Sequence, residues 1–392
     1  MLPNADDLFF ETVNAAVAIE EPADAANALL QITTALFEVG NIDYALALLQ
    51  KTFRRIRELG DPKERAYLLR LFVTLQCRQG LIDAAAETLP LIDESEQRAV
   101  AWKELAKGQA ESGRLNDALR IVEEEIEDFD DYEEVLVAVG EEQARQGRLA
   151  EAEMTAAKIE SEELRVRLLR KIAGGKNDVT ETSIPIESAR AIDDLFHRSS
   201  ALRRIGISLH QNGKPSEARA VFKEALNTVQ QIGNTYSRTN VLTDFAVDLG
   251  DLGIDDSAIK VFHLATGAAQ EIDDISFALP CLCKIAECQT AARLFDEAFD
   301  TVKIIKEWRD EIPRKSPERG PFDRDVAAAL GKLAIALKDS VEFEEESDSL
   351  FQKALDTARC IADAHCRAVA LMRLAVTVGA VSEPVVDMRT AT

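Results

Sequence analysis

Apolar residues recur along this chain at three-and-four spacing, and the runs are broken at regular intervals by a short turn. A glycine followed five residues later by alanine marks each break: Gly40…Ala45, Gly80…Ala85, Gly113…Ala118, Gly147…Ala152, Gly213…Ala218 and Gly253…Ala258. Arg293…Ala298 repeats the pattern with the glycine replaced. The glycines are 40, 33, 34, 66 and 40 residues apart, and 66 is twice 33, so a degenerate copy lies between, with Pro185 at its alanine position. Each unit is predicted to be a helix, a glycine turn and a second helix. Glycine ends the first helix because a left-handed residue without Cβ meets no steric penalty.

The frame holds at positions that did not define it. Thirteen and twelve residues before each alanine, a large apolar residue precedes a small one, as in Ile32-Thr33, Leu105-Ala106, Val139-Gly140, Ile205-Gly206 and Phe245-Ala246; Phe72-Val73 is the exception. Four residues after the alanines stand Leu49, Leu89, Val122, Ala156, Ala189, Phe222, Phe262 and Val302, where the second helix buries its next turn. A two-helix unit cannot bury both faces alone, so stacked neighbours complete the core.

Leu202, Ile205, Gly206, Leu209, Gly213, Ala218, Phe222 and Ala225 resemble a tetratricopeptide repeat (TPR), as do Trp102, Leu105, Gly113 and Ala118. The resemblance covers roughly residues 25 to 380 and implies an all-α, right-handed α-solenoid of stacked helix-turn-helix repeats. Several copies exceed the family's 34 residues, which implies extended second helices. Nine residues before the alanine, where the family favours an aromatic, this chain has Gln76, Gln109, Gln143 and Gln289. Such an amide is expected to cap the helix contact through a hydrogen bond to the neighbouring turn.

Two segments interrupt the array. Gly174 through Pro185 is a break and a candidate hinge, while residues 306–325 carry Pro313, Pro317, Gly320 and Pro321 among Lys306, Arg309, Arg314, Lys315, Arg319 and Arg324. The second is expected to be a basic, proline-rich loop, either a simple insertion or a docking arm. The expected organisation is an N-terminal segment 1–22, repeats 23–175, the break 176–186, repeats 187–305, the loop 306–325, C-terminal helical repeats 326–380 and a tail 381–392.

Charge narrows the partners. Of 392 residues, 46 are Lys or Arg and 70 Asp or Glu, a net charge of −24, which argues against nucleic acid or an anionic membrane. The N-terminus has no basic region before an apolar core and no stretch is long and apolar enough to span a bilayer, so a cytoplasmic protein is expected. Six scattered cysteines make no disulfide framework.

Catalytic chemistry finds little support. The phosphate-loop, dinucleotide, zinc-protease and serine-hydrolase motifs are missing, and His197, His210, His263 and His365 lie in separate repeats. Cys281, Cys283 and Cys288, with Cys360, His365 and Cys366 later, lack paired metal-ligand spacing and are expected to be small buried residues. No enzyme activity, cofactor or metal is expected.

The resemblance implies that the first helices line a concave groove, with one inward position fifteen residues before each alanine. That maps to Leu30, Arg70, Lys103, Val137, Arg170, Arg203, Thr243 and Cys283; neighbouring groove positions add Arg78, Lys107, Arg145, Arg167 and His210. A cationic strip inside an anionic body would gather an acidic peptide or carboxylate, although Glu111, Glu134 and Glu141 dilute it. The expected function is a non-enzymatic scaffold that holds a peptide or protein in that groove. The alternative is a regulatory sensor whose curvature changes on binding a peptide or small ligand.

Overall fold

The computed structural model describes residues 3–126, 128–172, 186–313, 316, 319–338 and 344–382. Among them every regular element is a helix. The chain divides into a continuous unit, Ala16–Val179, and a discontinuous one, Met1–Ala15 with Thr180–Thr392. After α1 (Ala5–Val17), the continuous unit holds α2 (Pro22–Glu38), α3 (Ile42–Arg57), α4 (Pro62–Arg78), α5 (Ile82–Thr88), α6 (Ser95–Glu111), α7 (Leu115–Glu124), α8 (Phe129–Arg145), α9 (Leu149–Ala156) and α10 (Glu162–Ile172). The discontinuous unit holds α11 (Ile186–Arg190), α12 (Leu195–Gln211), α13 (Pro215–Gln230), α14 (Thr235–Asp251) and α15 (Asp255–Gln270). It continues with α16 (Ile275–Ala291), α17 (Phe295–Glu311), α18 (Arg319–Lys338), α19 (Glu344–Arg359) and α20 (Ala364–Ser382). Within each unit, first and second helices pack as adjacent pairs, and each first helix also packs on the next first helix. This is an all-α solenoid of stacked helix-turn-helix pairs.

The turn chemistry follows from the helix ends. The last carbonyls of a helix lack partners, and a left-handed residue folds two amides back onto them. Gly40, Gly80, Gly113, Gly147, Gly213 and Gly253 all have φ between 70° and 82°, and Arg293 takes φ 60° at the seventh turn. At Arg293, its own amide donates to Thr290 O at 3.0 Å and the Leu294 amide to Gln289 O at 2.9 Å. The same two bonds close the turns at Gly40 and Gly147.

The alanines mark where the paired helices come closest. Ala45, Ala85, Ala118, Ala152, Ala218, Ala258 and Ala298 are all buried, as are Leu49, Leu89, Val122, Ala156, Ala189, Phe222 and Phe262 one turn on. Gly206 shows how tight the fit is: a Cβ there would lie 2.4 Å from the Phe222 ring.

The glutamines bond differently from expectation. Gln143 accepts from the Thr155 hydroxyl at 2.7 Å and Gln289 from Thr301 at 2.8 Å, so the partner is a threonine twelve residues on, in the second helix of the pair. At the same spacing the sequence sets Leu36 with Leu48, Leu209 with Val221 and Leu249 with Val261. Gln76 has Thr88 twelve residues on, but the Thr88 hydroxyl donates to Ala84 O and the Gln76 Oε1 has no partner among the described residues. Gln109 is set against Ile121 instead, and its buried Oε1 has no partner.

A second recurring device joins one pair to the next. Arg65, Arg98, Arg165, Arg198, Arg238 and Arg367 each donate to a main-chain carbonyl six residues earlier, at Leu59, Ile92, Ile159, Ile192, Ile232 and Ile361. Each carbonyl lies just past a helix end, where it has no helical donor. The N-cap sits between the two groups: Asp61, Asp194 and Asn234 each accept from amides of the first turn that follows.

Two expected boundaries move. The N-terminal segment contains α1, whose Leu8, Phe9 and Thr12 are buried, and its Glu11 forms a bidentate pair with Arg359 of α19 at 2.8 Å. The basic segment 306–325 is mostly helix, because α17 runs to Glu311 and α18 begins at Arg319. Three of its arginines are engaged internally: Asp323, buried, accepts from Arg309 at 2.5 Å and from Arg319 at 3.1 Å, and Arg319 also donates to Ile312 O at 2.7 Å. Arg324 pairs with Asp325 at 2.9 Å. Arg314, Lys315 and Pro317 lie outside the described residues, as does the break from Gly174 to Pro185.

Candidate functional site

In the continuous unit the first helices α2, α4 and α6 wall a channel of about 540 Å³. It is lined from α2 by Asn27, Leu30, Gln31 and Thr34, from α4 by Tyr67, Arg70, Thr74 and Arg78, and from α6 by Val100 and Glu104. Leu30 and Arg70 occupy the predicted inward position, and most of the others stand three, four or eight residues from them, on the same helix face. Sequence reasoning named Arg70 and Arg78 but missed Asn27, Gln31, Thr34, Tyr67 and Thr74. Helical spacing counted from Leu30 and Arg70 reaches all of these but Gln31, which adjoins Leu30 in the chain.

Arg70 is preorganised. Its Nε donates to Gln97 Oε1 of α6 at 2.7 Å, and its guanidinium lies 5.0 Å from the centre of the half-exposed Tyr67 ring. The planar fork keeps its remaining N–H groups for a carboxylate. Arg78, about two turns further along the same face of α4, makes no ion pair with a described residue. Glu38 and Glu104 give the same channel two acidic edges.

The other predicted cations are engaged. Lys103 reaches Asp131 of α8 at 2.5 Å, and Lys107 reaches Glu134 at 2.5 Å. Burial pulls the Lys103 pKa down, but the hydrogen bond and charge of Asp131, with Glu134 behind them, outweigh it and hold the pKa above its ordinary value. The Lys107 hydrogen bond, against a smaller effect of burial, lowers that of Glu134. Arg145 pairs with Glu142 on its own helix at 2.6 Å. Arg167 is exposed on α10 without a described partner, and the Arg170 side chain lies outside the described residues.

In the discontinuous unit, Arg203 Nε lies 3.2 Å from Asp248 Oδ2 of α14, and His210 lines a smaller cavity beside α13. Val137, Thr243 and Cys283, at the same predicted inward position, are buried. The position therefore lies close to the seam between consecutive first helices. A cation placed there finds its acid on the next first helix, 28 residues on for Lys103 and 45 for Arg203.

Cys281 and Cys283 are buried, and burial raises both thiol pKa values. Among the described residues no three His, Cys, Asp or Glu side chains converge as metal ligands would, and no helix is long and apolar enough to cross a membrane.

No protein-family model matches the chain, and no curated protein matches it. Two solved structures align over most of its length. Ton1535 from Thermococcus onnurineus NA1 is 14% identical over 93% of this chain and 94% of its own, with a TM-score of 0.28. A Rap protein complexed with competence and sporulation factor is 15% identical over 87% of this chain and 99% of its own, with a TM-score of 0.26. Superpositions this loose establish nothing about function.

Proposed function

We propose that the protein is a non-enzymatic interaction scaffold of the tetratricopeptide-repeat kind, acting in the cytoplasm, and that the α2–α4–α6 channel holds an extended peptide carrying a carboxylate. What supports this is Arg70, fixed in place by Gln97 and Tyr67 on the wall of a channel that also presents the amides and hydroxyls of Asn27, Gln31, Thr34 and Thr74 among leucines, with Glu38 and Glu104 at its edges. A donor already held in position loses little entropy on binding. The Asn, Gln and Thr side chains suit the main chain of an extended segment, and Arg70 with Arg78 suits its acidic group.

A peptide array of acidic, neutral and basic sequences tests the proposal, probed with full-length protein at low and high salt. Acidic peptides are expected to be retained, to elute with salt, and to bind the Arg70→Glu, Arg78→Glu variant at least tenfold more weakly. Arg120→Glu, an exposed change on the second helix α7, should leave retention as it was. Equal retention of basic and acidic peptides, or retention indifferent to the Arg70 and Arg78 changes, would refute it.

A further inference from the structure

The discontinuous unit contains a second pocket of a different character. At the junction of the α12–α13 and α14–α15 pairs lies a cavity of about 230 Å³. Successive turns of α13 supply Arg219, Phe222 with Lys223, and Leu226, at the three-and-four spacing that puts them on one face. Leu249 of α14 completes the apolar floor, and His210, near the end of α12, joins Arg219 and Lys223 as a polar group of the lining. The floor is well determined because the Phe222 ring is wedged over Gly206, where no side chain could stand.

The charge at this junction runs against the rest of the protein. The chain carries −24, yet no Asp or Glu lines the cavity. None of the His210, Arg219 and Lys223 side chains makes a hydrogen bond or ion pair with a described residue, whereas Lys103, Lys107 and Arg203 of the first helices do. Two unpartnered cations and an imidazole beside an apolar floor are a recognition set for a small amphipathic anion: the hydrocarbon desolvates the floor and the anion takes the donors. At about 30 Å³ per water-sized group, the space encloses roughly eight heavy atoms of a ligand.

We propose that this junction binds a small alkyl or aryl carboxylate, either as a free acid or as the terminal residue of a peptide ending in leucine or phenylalanine. It shares no residue with the α2–α4–α6 channel, so either site can fail without the other.

Isothermal titration calorimetry on the full-length protein tests it, with octanoate, octan-1-ol, and the peptide acetyl-Ala-Gly-Leu with a free or an amidated terminus. At least one carboxylate is expected to bind saturably at one site, and its uncharged analogue at least tenfold more weakly. The Arg219→Glu, Lys223→Glu variant, both positions being exposed on α13, should weaken that binding at least tenfold with unchanged far-ultraviolet circular dichroism. Leu226→Trp, which fills the cavity, should do the same, and Arg70→Glu with Arg78→Glu should not. Tighter binding of octanoate identifies a free acid as the ligand, and tighter binding of the peptide identifies a chain terminus. No saturable binding by either carboxylate, equal binding of octan-1-ol, or indifference to the charge reversal would overturn the proposal.

Discussion

Arg293 is a chemically ordinary residue in a position built for glycine, and replacing it should stabilise the protein. Its φ of 60° is where six sibling turns carry glycine, and its side chain is exposed without a described hydrogen-bond partner. Arg293→Gly therefore changes little but the backbone. A residue with Cβ in the left-handed region costs about 1–2 kcal/mol. Glycine gives back about 0.5–1 kcal/mol through its freer unfolded chain. The net gain is about 0.5–1 kcal/mol, and the mirror change Gly253→Arg, at φ 70°, should lose a similar amount. In an array stabilised repeat by repeat the effect is local. Hydrogen exchange should slow about two- to fivefold at the amides of Arg293 and Leu294, which close the α16–α17 turn, and quicken by as much at Gly253 and Ile254 in the mirror variant. Exchange that stays the same in both variants would refute the strain argument. So would slowing in Gly253→Arg.

Buried Gln143 and Thr155 should behave as one unit: Gln143→Leu or Thr155→Val alone costs about 1–2 kcal/mol, and the double change much less than their sum, as a urea-denaturation cycle will read. Gln109→Leu should stabilise by about 1 kcal/mol, because its buried oxygen bonds to nothing among the described residues; a lower urea midpoint would contradict this. Gly206→Ala should destabilise by about 1–3 kcal/mol through collision with Phe222, a loss that Phe222→Leu in the same chain should partly restore in thermal melts. The Glu134 pKa is lowered in the fold, so its contribution is complete above the ordinary value of 4.5 and is lost as pH falls through the lower folded value. Glu134→Gln should flatten that acid limb of the stability–pH curve, and an unchanged limb would mean that Lys107 and Lys103 do not engage it in solution.

Features set by local chemistry were legible in the chain. The left-handed turn needs glycine, and the close helix contact needs alanine, so Gly40, Ala45 and their counterparts announced both. Features set by a neighbour were harder to see. Arg70, Lys103 and Arg203 stood out as cations at one helical position, but what they do depends on Gln97, Asp131 and Asp248, carried on the next first helix. The arginines that clasp Leu59, Ile92 and Ile159 were readable and were missed: an apolar residue, a cap two later and an arginine four beyond it form a repeat of their own. The helical character of residues 319–325 was hidden by the prolines around it, since Pro321 falls in the first turn of α18, where a missing amide costs nothing.

The pairing of Glu11 with Arg359 makes the shorter unit an insertion within the longer one. Synthesis meets this topology in an awkward order. Helix α1 must wait for a partner 348 residues downstream, which at about 5–20 residues per second is roughly 20–70 s. Meanwhile α2 to α10 emerge in order, each packing on its neighbours, and can condense as they appear. Helix α1 meets Arg359 only when α19 arrives, so the step that joins them is the one with the longest loop to close. A nascent chain halted before Arg359 would carry a folded insert and an opening helix still without its counterpart.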